Sequence, residues 1–358
     1  MPQFMDALVK PAAGPGLELR QVPVPEPAAG QVLIKIHKTA ICGTDVHIYN
    51  WDPWAQEHIK PPMVIGHEYV GEVAALGAGV TGLHIGQRVS GEGHITCGRC
   101  RNCHTGNIQW CKDTKGVGVD RDGAFAEYVC IPESNVIIID ESLPEDVVAF
   151  FDAFGNATHT ALMWNLVGED VLITGAGPIG VIAVGICKYA GARRVVITDV
   201  NDYRLDLARK MGADAAVNIM SEDLTQIMHK QGLVEGFDIG LEMSGNGAGL
   251  QQMISVMRNG GKISLLGISN KPVPYVDGLQ ARPRTEAGIP VACSLHLGLH
   301  LPATNWPHVG SHPDGQPLHT EGLCETVFCT LQARKNLKRL RIHKYAPGMA
   351  SHTYRGQC

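Results

Sequence analysis

Four cysteines stand at short, regular intervals in the pattern Cys97-x2-Cys100-x2-Cys103-x7-Cys111. Thiolates two residues apart in a loop can converge on one metal ion, and a fourth thiolate completes the tetrahedral S4 shell of structural zinc. The alternative is a set of unrelated core cysteines or disulfides, which so tight a cluster disfavours. A closed shell has no position for a substrate, so this zinc is predicted to hold a lobe of structure while the chemistry occurs elsewhere.

Cys42 and His67, each next to a glycine, suggest a second zinc site. A thiolate and an imidazole joined by one carboxylate leave a coordination position free for substrate, as in catalytic zinc sites. Taken singly, they would be interpreted as a core thiol and a core histidine. The carboxylate is either Glu68 or Asp152. Glu68 is adjacent to His67, and neighbouring side chains rarely face one metal. Glu68 and Asp152 therefore either alternate as the third ligand, or one is the ligand and the other supports it.

A dehydrogenation at such a zinc needs a route by which a proton leaves. Thr44 offers a hydroxyl that can hand the proton on, and His47 offers an imidazole that titrates near neutral pH. The alternative is that Thr44 caps a helix and His47 is merely exposed. His94, just before the cysteine ladder, either faces the substrate or is an ordinary loop histidine.

A dinucleotide site is indicated by Gly175-Ala-Gly177-Pro-Ile-Gly180, a G-x-G-x-x-G loop between the predicted strand 171–174 and the predicted helix 178–189. Gly175 permits the tight turn, Gly177 lets backbone approach a pyrophosphate, and Gly180 lets helix and strand pack closely. The helix N-terminus then offers free N–H groups to the phosphates. Glycine-rich turns are common, but this strand–loop–helix context favours dinucleotide binding.

Asp199 ends the next predicted strand, nineteen residues after Gly180. A carboxylate there can accept hydrogen bonds from a ribose 2′-hydroxyl and repels a 2′-phosphate, which favours NAD over NADP. Arg204 lies close enough in the sequence to weaken this preference. The alternative for Asp199 is a capping role before Asn201.

The elements that must position these residues change character along the chain. Short β-branched runs such as 32–36 and 136–139, separated by Gly and Pro, make the first 150 residues β-rich. From Glu169, predicted strands (171–174, 195–198, 237–242, 262–266) alternate with helices (178–189, 203–211), which indicates a parallel, doubly wound α/β sheet.

Bulk composition excludes several classes of function. The 358 residues are too many for one ordinary core, and 44% hydrophobic with 18% charged residues is typical of soluble globular proteins. A net charge of -5 argues against nucleic-acid binding. We expect no secretory signal and no membrane span, because the N-terminus lacks the required pattern and no apolar run approaches about 20 residues. Metal-type cysteines without an export signal predict a cytoplasmic protein.

The segment Gly66-His67-Glu68-x2-Gly71-x5-Gly77-x2-Val80 resembles the signature of the zinc-containing medium-chain dehydrogenases. The cysteine ladder and the G-x-G-x-x-G loop follow in that family's order. More narrowly, residues 39–51, 90–97, 154–157 and 197–200 are similar to the threonine-oxidising members of the family. The similarity is nearly continuous from about residue 33 to residue 268.

The resemblance implies a β-rich GroES-like catalytic domain, a Rossmann domain, and NAD-linked oxidation of the small molecule L-threonine to 2-amino-3-oxobutanoate, usually in a homotetramer. It implies a catalytic zinc on Cys42, His67 and Glu68, and a structural zinc on Cys97, Cys100, Cys103 and Cys111. It gives the proton relay to Thr44 and His47 and a tuning role to Asp152. The implied NAD contacts are the glycine loop, Ile179, Asp199, Arg204, Leu266, Gly267 and Ile268.

The C-terminus departs from the family, which continues after Ile268 with further strands that residues 271–358 do not resemble. We therefore expect three parts: a catalytic domain (1–150), an incomplete NAD-binding domain (151–270) and an anomalous C-terminal segment (271–358), in which only 321–341 has a helical pattern. Missing strands would leave exposed edges and threaten activity. The alternatives are a polyol or 2,3-butanediol dehydrogenase, or an inactive chain that still binds zinc or NAD.

Overall fold

The computed structural model describes residues 2–267, Arg284–Thr285 and Leu331–Gln332 of the chain. Its strands are β1 (Phe4–Lys10), β2 (Glu18–Pro23), β3 (Gln31–Ala40), β4 (Met63–Val64), β5 (Glu68–Leu76), β6 (Arg88–Gly91), β7 (His94–Ile95), β8 (Lys115–Gly116), β9 (Tyr128–Pro132), β10 (Val136–Ile138), β11 (Asp170–Thr174), β12 (Arg194–Asp199), β13 (Ala215–Asn218), β14 (Phe237–Glu242), β15 (Met257–Leu265), β16 (Arg284–Thr285) and β17 (Leu331–Gln332). Its helices are α1 (Gly43–Asn50), α2 (Pro53–His58), α3 (Arg101–His104), α4 (Glu145–Val148), α5 (Phe151–Ala161), α6 (Pro178–Tyr189), α7 (Asp202–Lys210), α8 (Leu224–Lys230) and α9 (Gly247–Val256), with 3₁₀ turns at Ile108–Trp110 and Glu133–Asn135.

The first half of the chain is built from antiparallel strands, as the β-branched runs predict. One sheet has the order β2-β1-β4, and a larger one has the order β10-β6-β5-β3-β17, with β9 also paired to β3. Valine and isoleucine side chains of β3, β5, β6 and β9 pack into one buried cluster. This core fixes the ends of β3 and β5, and those ends carry the predicted catalytic residues.

The second half is a parallel sheet of order β13-β12-β11-β14-β15-β16. Counted from its own first strand, this is the order 3-2-1-4-5-6 of a doubly wound dinucleotide-binding sheet, which confirms the predicted fold class. Val171 and Ile173 pack with α5, α6 and α7, whereas Leu172 packs with α8 and α9. Alternate residues of one strand therefore face two helix layers.

Several predicted elements have the predicted bounds or nearly so. The helix over 178–189 is α6, the strand over 237–242 is β14, and the helix over 203–211 is shifted by one residue to Asp202–Lys210. Most of the C-terminal segment lies outside the described residues. At Leu331–Gln332 the structure has a strand where the sequence predicts a helix, because these residues pair with Thr39 and Lys38, beyond the end of the β3–β9 ladder.

The helix α5 links the two halves. It begins at Phe151, contacts β5 of the antiparallel part, and packs along α6 of the parallel part. Asp152 therefore lies where the two parts meet. Within the described part of the chain, no helix combines the length and the apolar character needed to cross a lipid bilayer.

Candidate active site

Cys42 is held at the start of α1. It is the N-cap residue, and its backbone N–H donates to the Asp45 carboxylate at 2.8 Å. Asp45 is only 3% exposed, and the Thr44 hydroxyl lies 3.7 Å from the Cys42 sulfur. The capping contact fixes the backbone of this turn and with it the direction in which the Cys42 thiol projects.

His67 and Glu68 reach the same place because the backbone turns just before β5. Gly66 has a φ of 93°, and a Cβ there would lie 2.3 Å from the Phe125 ring. His67 precedes β5 and Glu68 is its first residue, so the alternation of a regular strand does not separate them. Glu68 pairs with Ala40 at the end of β3, which brings Cys42 to the same strand end.

Cys42, His67 and Glu68 form a group that fits a metal ion. One potential ligand atom from each lies within 4.8 Å of the others. Two polar atoms in the group, Glu68 Oε2 and His67 Nδ1, are buried and have no hydrogen-bond partner among the described residues. Buried polar atoms normally have hydrogen-bond partners, so two unpartnered atoms in this group are suited to ligate a metal ion. The residues therefore fit the predicted zinc.

The electrostatics of this group agree with that fit. Burial, followed by the charges of Asp45 and Asp152, raises the pKa of Cys42 to about 12, and burial with the nearby thiol raises the pKa of Glu68 well above its usual range. Burial lowers the pKa of His67, but the surrounding carboxylates outweigh it and the net shift is upward. Buried acids crowded in this way would be stabilised as anions by a divalent cation.

A second group lies beside the first and contains Asp152. It consists of Glu92, His94 and Asp152, which also offer ligand atoms within 4.8 Å of one another. His94 Nδ1 lies 2.7 Å from Glu92 Oε1, and Asn156 Nδ2 donates to Asp152 Oδ2 at 3.0 Å. The structure thus brings Glu68 to the thiol and imidazole, despite the adjacency argument against it, and brings Asp152 to the neighbouring group.

The predicted relay residues lie on α1, one turn apart. His47 Nδ1 is hydrogen-bonded to Asp52 Oδ2, and the His47 side chain is 28% exposed. Asp52 also caps α2 by accepting the Ala55 N–H at 3.0 Å. Burial alone would raise the pKa of Asp52. The Ala55 N–H and the contact with His47 together outweigh burial, so the net shift of this pKa is downward. His47 therefore has a fixed carboxylate partner and an edge open to solvent.

The four ladder cysteines converge as the spacing predicts. Their sulfur atoms lie within 4.8 Å of one another. The backbone N–H groups of Cys97 and Asp113 donate to Cys111 Sγ at 3.3 and 3.4 Å. Backbone N–H donors, first that of Cys103, lower the pKa of Cys100 to about 6, and the N–H of Cys97 lowers the pKa of Cys111. These N–H groups favour the thiolate form that binds metal.

The glycine loop has the geometry that each glycine position requires. Gly175 has a φ of 91°, and a Cβ there would lie 2.8 Å from the Ser244 backbone. A Cβ on Gly180 would lie 1.9 Å from the Gly175 carbonyl oxygen, so α6 and the loop that follows β11 are in direct backbone contact. A Cβ on Gly177, the N-cap of α6, would meet no atom within 4 Å. Gly177 thus leaves open space over the helix N-terminus.

Asp199 ends β12 at the edge of this loop. Its Oδ2 accepts the Ala176 N–H at 2.7 Å, and its Oδ1 accepts the N–H groups of Val200 and Asn201 at 2.8 and 2.9 Å. The N-cap of α7 is Asn201, which accepts the Arg204 N–H. Asp199 therefore connects the glycine loop to the turn after β12 and does not cap α7, and one lone pair of Oδ2 is left for a ligand.

The remaining predicted NAD residues lie along the same edge of the sheet or beyond the described residues. Ile179 is the second residue of α6, is partly buried, and packs against the core. The N–H groups of Leu266 and Gly267 both donate to the Glu242 carbonyl, at 2.9 and 3.0 Å, which anchors the end of β15 at β14. Arg204 is exposed on α7. Ile268 lies outside the described residues.

Comparison with known proteins assigns the chain to a family. Residues 28–141 match the alcohol dehydrogenase GroES-like domain, and residues 178–289 match the zinc-binding dehydrogenase domain. The chain is 61% identical over 308 residues to an L-threonine 3-dehydrogenase of Chromobacterium violaceum, covering 83% of this chain and 90% of that protein. A Proteus mirabilis L-threonine 3-dehydrogenase is 53% identical with the same coverage. The chain belongs to the L-threonine 3-dehydrogenase family.

A solved structure agrees with this family and fold. An Escherichia coli CFT073 alcohol dehydrogenase, crystallised with NADH, superposes with a TM-score of 0.76 at 26% identity, covering 83% of this chain and 87% of that one. The predicted combination of a GroES-like part and a Rossmann part is confirmed by the two domain matches. The zinc-binding dehydrogenase match extends to residue 289, past the predicted boundary at 270.

Three residues at the site of this L-threonine 3-dehydrogenase family member are not singled out by the sequence reasoning. Asp45 has a detectable signal, because a carboxylate three residues after Cys42 forms a capping arrangement. Asp52 precedes Pro53 at a helix start, which is a capping signal but gives no hint of the contact with His47. Glu92 has no sequence signal of its own, because only the fold brings it to Asp152.

Proposed function

We propose that this chain oxidises the 3-hydroxyl of L-threonine to the ketone of 2-amino-3-oxobutanoate, with NAD as oxidant. In this reaction the hydroxyl proton is released and the C3 hydride passes to the nicotinamide, so threonine loses two electrons and NAD⁺ becomes NADH. The observation that carries the proposal is the grouping of Cys42, His67 and Glu68, with their orphaned buried atoms, in a chain 61% identical to an L-threonine 3-dehydrogenase.

We assign the catalytic zinc to Cys42, His67 and Glu68. When bound there, zinc supplies a Lewis acid that lowers the pKa of an alcohol and stabilises the alkoxide. Asp152 adds a carboxylate beside this group and is oriented by Asn156. Its part is to tune the charge around the three ligands, and Glu68 is the better placed of the two acids to be the third ligand.

The proton leaves through residues of α1. The Thr44 hydroxyl, 3.7 Å from the Cys42 sulfur, is proposed to receive the proton of the substrate hydroxyl and to pass it on. His47 accepts it at its imidazole, which Asp52 orients and stabilises when it becomes charged. The exposed edge of His47 then returns the proton to solvent.

The second zinc belongs to the four cysteines of the ladder. Four thiolates fill a tetrahedral shell, so this site has no position for substrate and acts on structure. The segment 97–111 has little else to hold it together, because among its residues only two of the ligands themselves, Cys100 and Cys111, are buried.

NAD is assigned to the carboxyl edge of the parallel sheet. When bound, NAD supplies the hydride acceptor. The open space at Gly177 and the free N–H groups of α6 would hold the pyrophosphate, and Asp199 would accept a hydrogen bond from the ribose and disfavour a 2′-phosphate. Ile179, Arg204, Leu266, Gly267 and Ile268 complete the predicted contacts.

The organisation of the enzyme is part of the same proposal. Residues 1–150 form the catalytic zinc-binding domain, residues 151–270 form the NAD-binding domain, and 271–358 is the C-terminal segment, from which Arg284–Thr285 adds a sixth strand to the parallel sheet and Leu331–Gln332 pairs with β3. We propose a homotetramer, as the family resemblance implies, and a cytoplasmic location, as the metal-type cysteines predict. Size-exclusion chromatography with light scattering measures the oligomeric state.

The direct test is NADH formation by the purified 1–358 chain at saturating L-threonine and NAD, with zinc content measured on the same sample. Expected results are two zinc ions per chain and turnover with L-threonine but not with sorbitol or 2,3-butanediol. Turnover with a polyol and none with L-threonine would refute the proposed substrate. Soluble, zinc-loaded protein that oxidises none of the three would refute the proposed activity and favour the binding-only alternative.

A further inference from the structure

Lys10 is a buried lysine outside the proposed machinery. It is the last residue of β1, and its side chain is completely buried. Its Nζ donates to the carbonyl oxygens of Gly14 and of Gly16, the latter at 3.1 Å, and lies 4.8 Å from the centre of the Trp51 ring. No carboxylate in the described part of the chain forms an ion pair with it.

A buried ammonium without a counter-ion is unfavourable unless strong dipoles and a π-face replace its water. Here two carbonyls and an indole do so, and burial lowers the pKa of Lys10. A leucine or methionine would fill this position at lower cost, so hydrophobic packing does not explain the residue. The ammonium itself must contribute something, and its contacts show where it acts.

Those contacts meet at the end of α1. Trp51 is the C-cap of α1 and, among the described residues, the only non-glycine residue with positive φ, at 57°. A tryptophan in the left-handed region is strained and persists only where its surroundings fix it. The Gly16 N–H also donates to the Tyr49 carbonyl at 2.7 Å, so the loop that holds the ammonium is bound to α1 as well.

Trp51 leads directly into the proposed proton exit. The next residue, Asp52, is the partner of His47 and the N-cap of α2. The left-handed turn at Trp51 sets the direction from which the Asp52 carboxylate reaches back to the imidazole. A cation against the C-terminal turn of α1 also complements the helix dipole.

We propose that Lys10 is a positioning residue for proton release: its ammonium fixes the left-handed turn at Trp51 and thereby holds Asp52 against His47. This inference rests on the proposed relay through His47. It adds to that relay a residue about forty positions away in the sequence, on a strand that otherwise only supports the sheet.

The test uses the zinc-loaded full chain in a double-mutant cycle of Lys10→Met and Asp52→Asn. Lys10→Met keeps the length of the side chain and removes the charge. Lys35→Met is the matched control, because it removes the same charge from a lysine in β3 whose Nζ donates to Glu72 at 2.7 Å. Trp51→Leu is the second variant if Lys10→Met does not fold. The readouts are kcat and KM for L-threonine, and the rate of His47 acylation by diethyl pyrocarbonate, measured by peptide mass spectrometry.

We expect Lys10→Met to lower kcat about ten-fold with little change in KM, because a misaligned proton acceptor slows the reaction without weakening binding. In the Asp52→Asn background, Lys10→Met should lower kcat by less than a further factor of about two, since both changes act on the contact between Asp52 and His47. Lys35→Met should change neither constant. His47 acylation, which needs no turnover, should accelerate equally in the two single variants and no further in the double variant.

The inference would be overturned if Lys10→Met lowered kcat by the same factor in the wild-type and Asp52→Asn backgrounds. Lys10 would then have a purely structural role. An unchanged His47 acylation rate in Lys10→Met would overturn it as well. A wild-type chain without L-threonine turnover would count against the proposed function, and the acylation cycle would then still decide whether Lys10 positions Asp52.

Discussion

Gly177 and Gly180 stand three residues apart, and the structure predicts opposite consequences for changing each to alanine. A Cβ on Gly180 would lie 1.9 Å from the Gly175 carbonyl oxygen, about 1 Å inside any tolerable approach, so α6 would have to move away from the loop. A Cβ on Gly177 would meet no atom within 4 Å, and its φ of -68° suits any residue. The first change therefore strains the protein, whereas the second fills ligand space.

The expected magnitudes follow from these distances. Overpacking that shifts backbone costs about 1–3 kcal/mol, so Gly180→Ala should lower the midpoint of thermal unfolding by several degrees without NAD. In Gly177→Ala, the loss of a glycine N-cap and the lower entropy of the unfolded chain nearly cancel, leaving stability within about 1 kcal/mol. Its Cβ should occupy the approach of the pyrophosphate and weaken NAD binding at least about ten-fold, or 1.4 kcal/mol.

The assay is thermal unfolding without cofactor, followed by titration of each variant with NAD by isothermal calorimetry. The two variants control for each other, because they add the same methyl group at positions three residues apart. Wild-type NAD affinity in Gly177→Ala would refute the assignment of the pyrophosphate to this space. Wild-type stability in Gly180→Ala would refute the close contact of helix and loop.

Three further outcomes are expected. Cys42→Ser should abolish L-threonine turnover and leave one bound zinc, with the stability of the protein nearly unchanged, whereas Cys103→Ser should lose the other zinc and destabilise segment 97–111. Elemental analysis that finds both zinc ions lost in Cys42→Ser would contradict two independent sites. Asp199→Ala should raise the KM for NAD and reduce the discrimination against NADP, and an unchanged ratio of kcat/KM values for the two cofactors would exclude the ribose contact. Burial raises the pKa of Asp238, but the Asp170 N–H and Arg258 outweigh it, so the pKa of Asp238 is depressed in the folded protein. The stabilisation from the Asp238–Arg258 ion pair is therefore complete above pH about 4 and is lost progressively as the pH falls through the depressed pKa. Arg258→Met should be less stable than wild type in urea at pH 7, and a difference that does not shrink at all between pH 4 and pH 2 would show that the ion pair is not its source.

The parallel half of the fold could be predicted closely because its signals are local. A buried β-branched strand, a glycine loop and an apolar helix follow one another, so α6 has its predicted bounds and β12 differs by one residue at each end. The α1 helix was not predictable in this way. Its sequence of Gly, Thr, Asp, Val and Asn disfavours a helix, and burial of Ile48 in the tertiary core stabilises it instead.

The candidate site shows the same division between local and tertiary information. The ladder could be predicted because its ligands are near one another in the sequence. The choice between Glu68 and Asp152 could not, because it depends on the left-handed turn at Gly66 and on its contact with the Phe125 ring. The grouping of Glu92 with Asp152 is likewise tertiary, since sixty residues separate them.

The position of Asp152 on α5 limits how this enzyme can be recombined with its relatives. By sequence the residue falls just after the predicted boundary at 150, yet its carboxyl lies with Glu92 and His94 of the preceding half. A chimera joined at that boundary would take Asp152 from one parent and its two neighbours from the other. A crossover placed after α5 keeps the three side chains in one parent. Chimeras that combine the substrate preference of one parent with the cofactor preference of another therefore need their junction after α5.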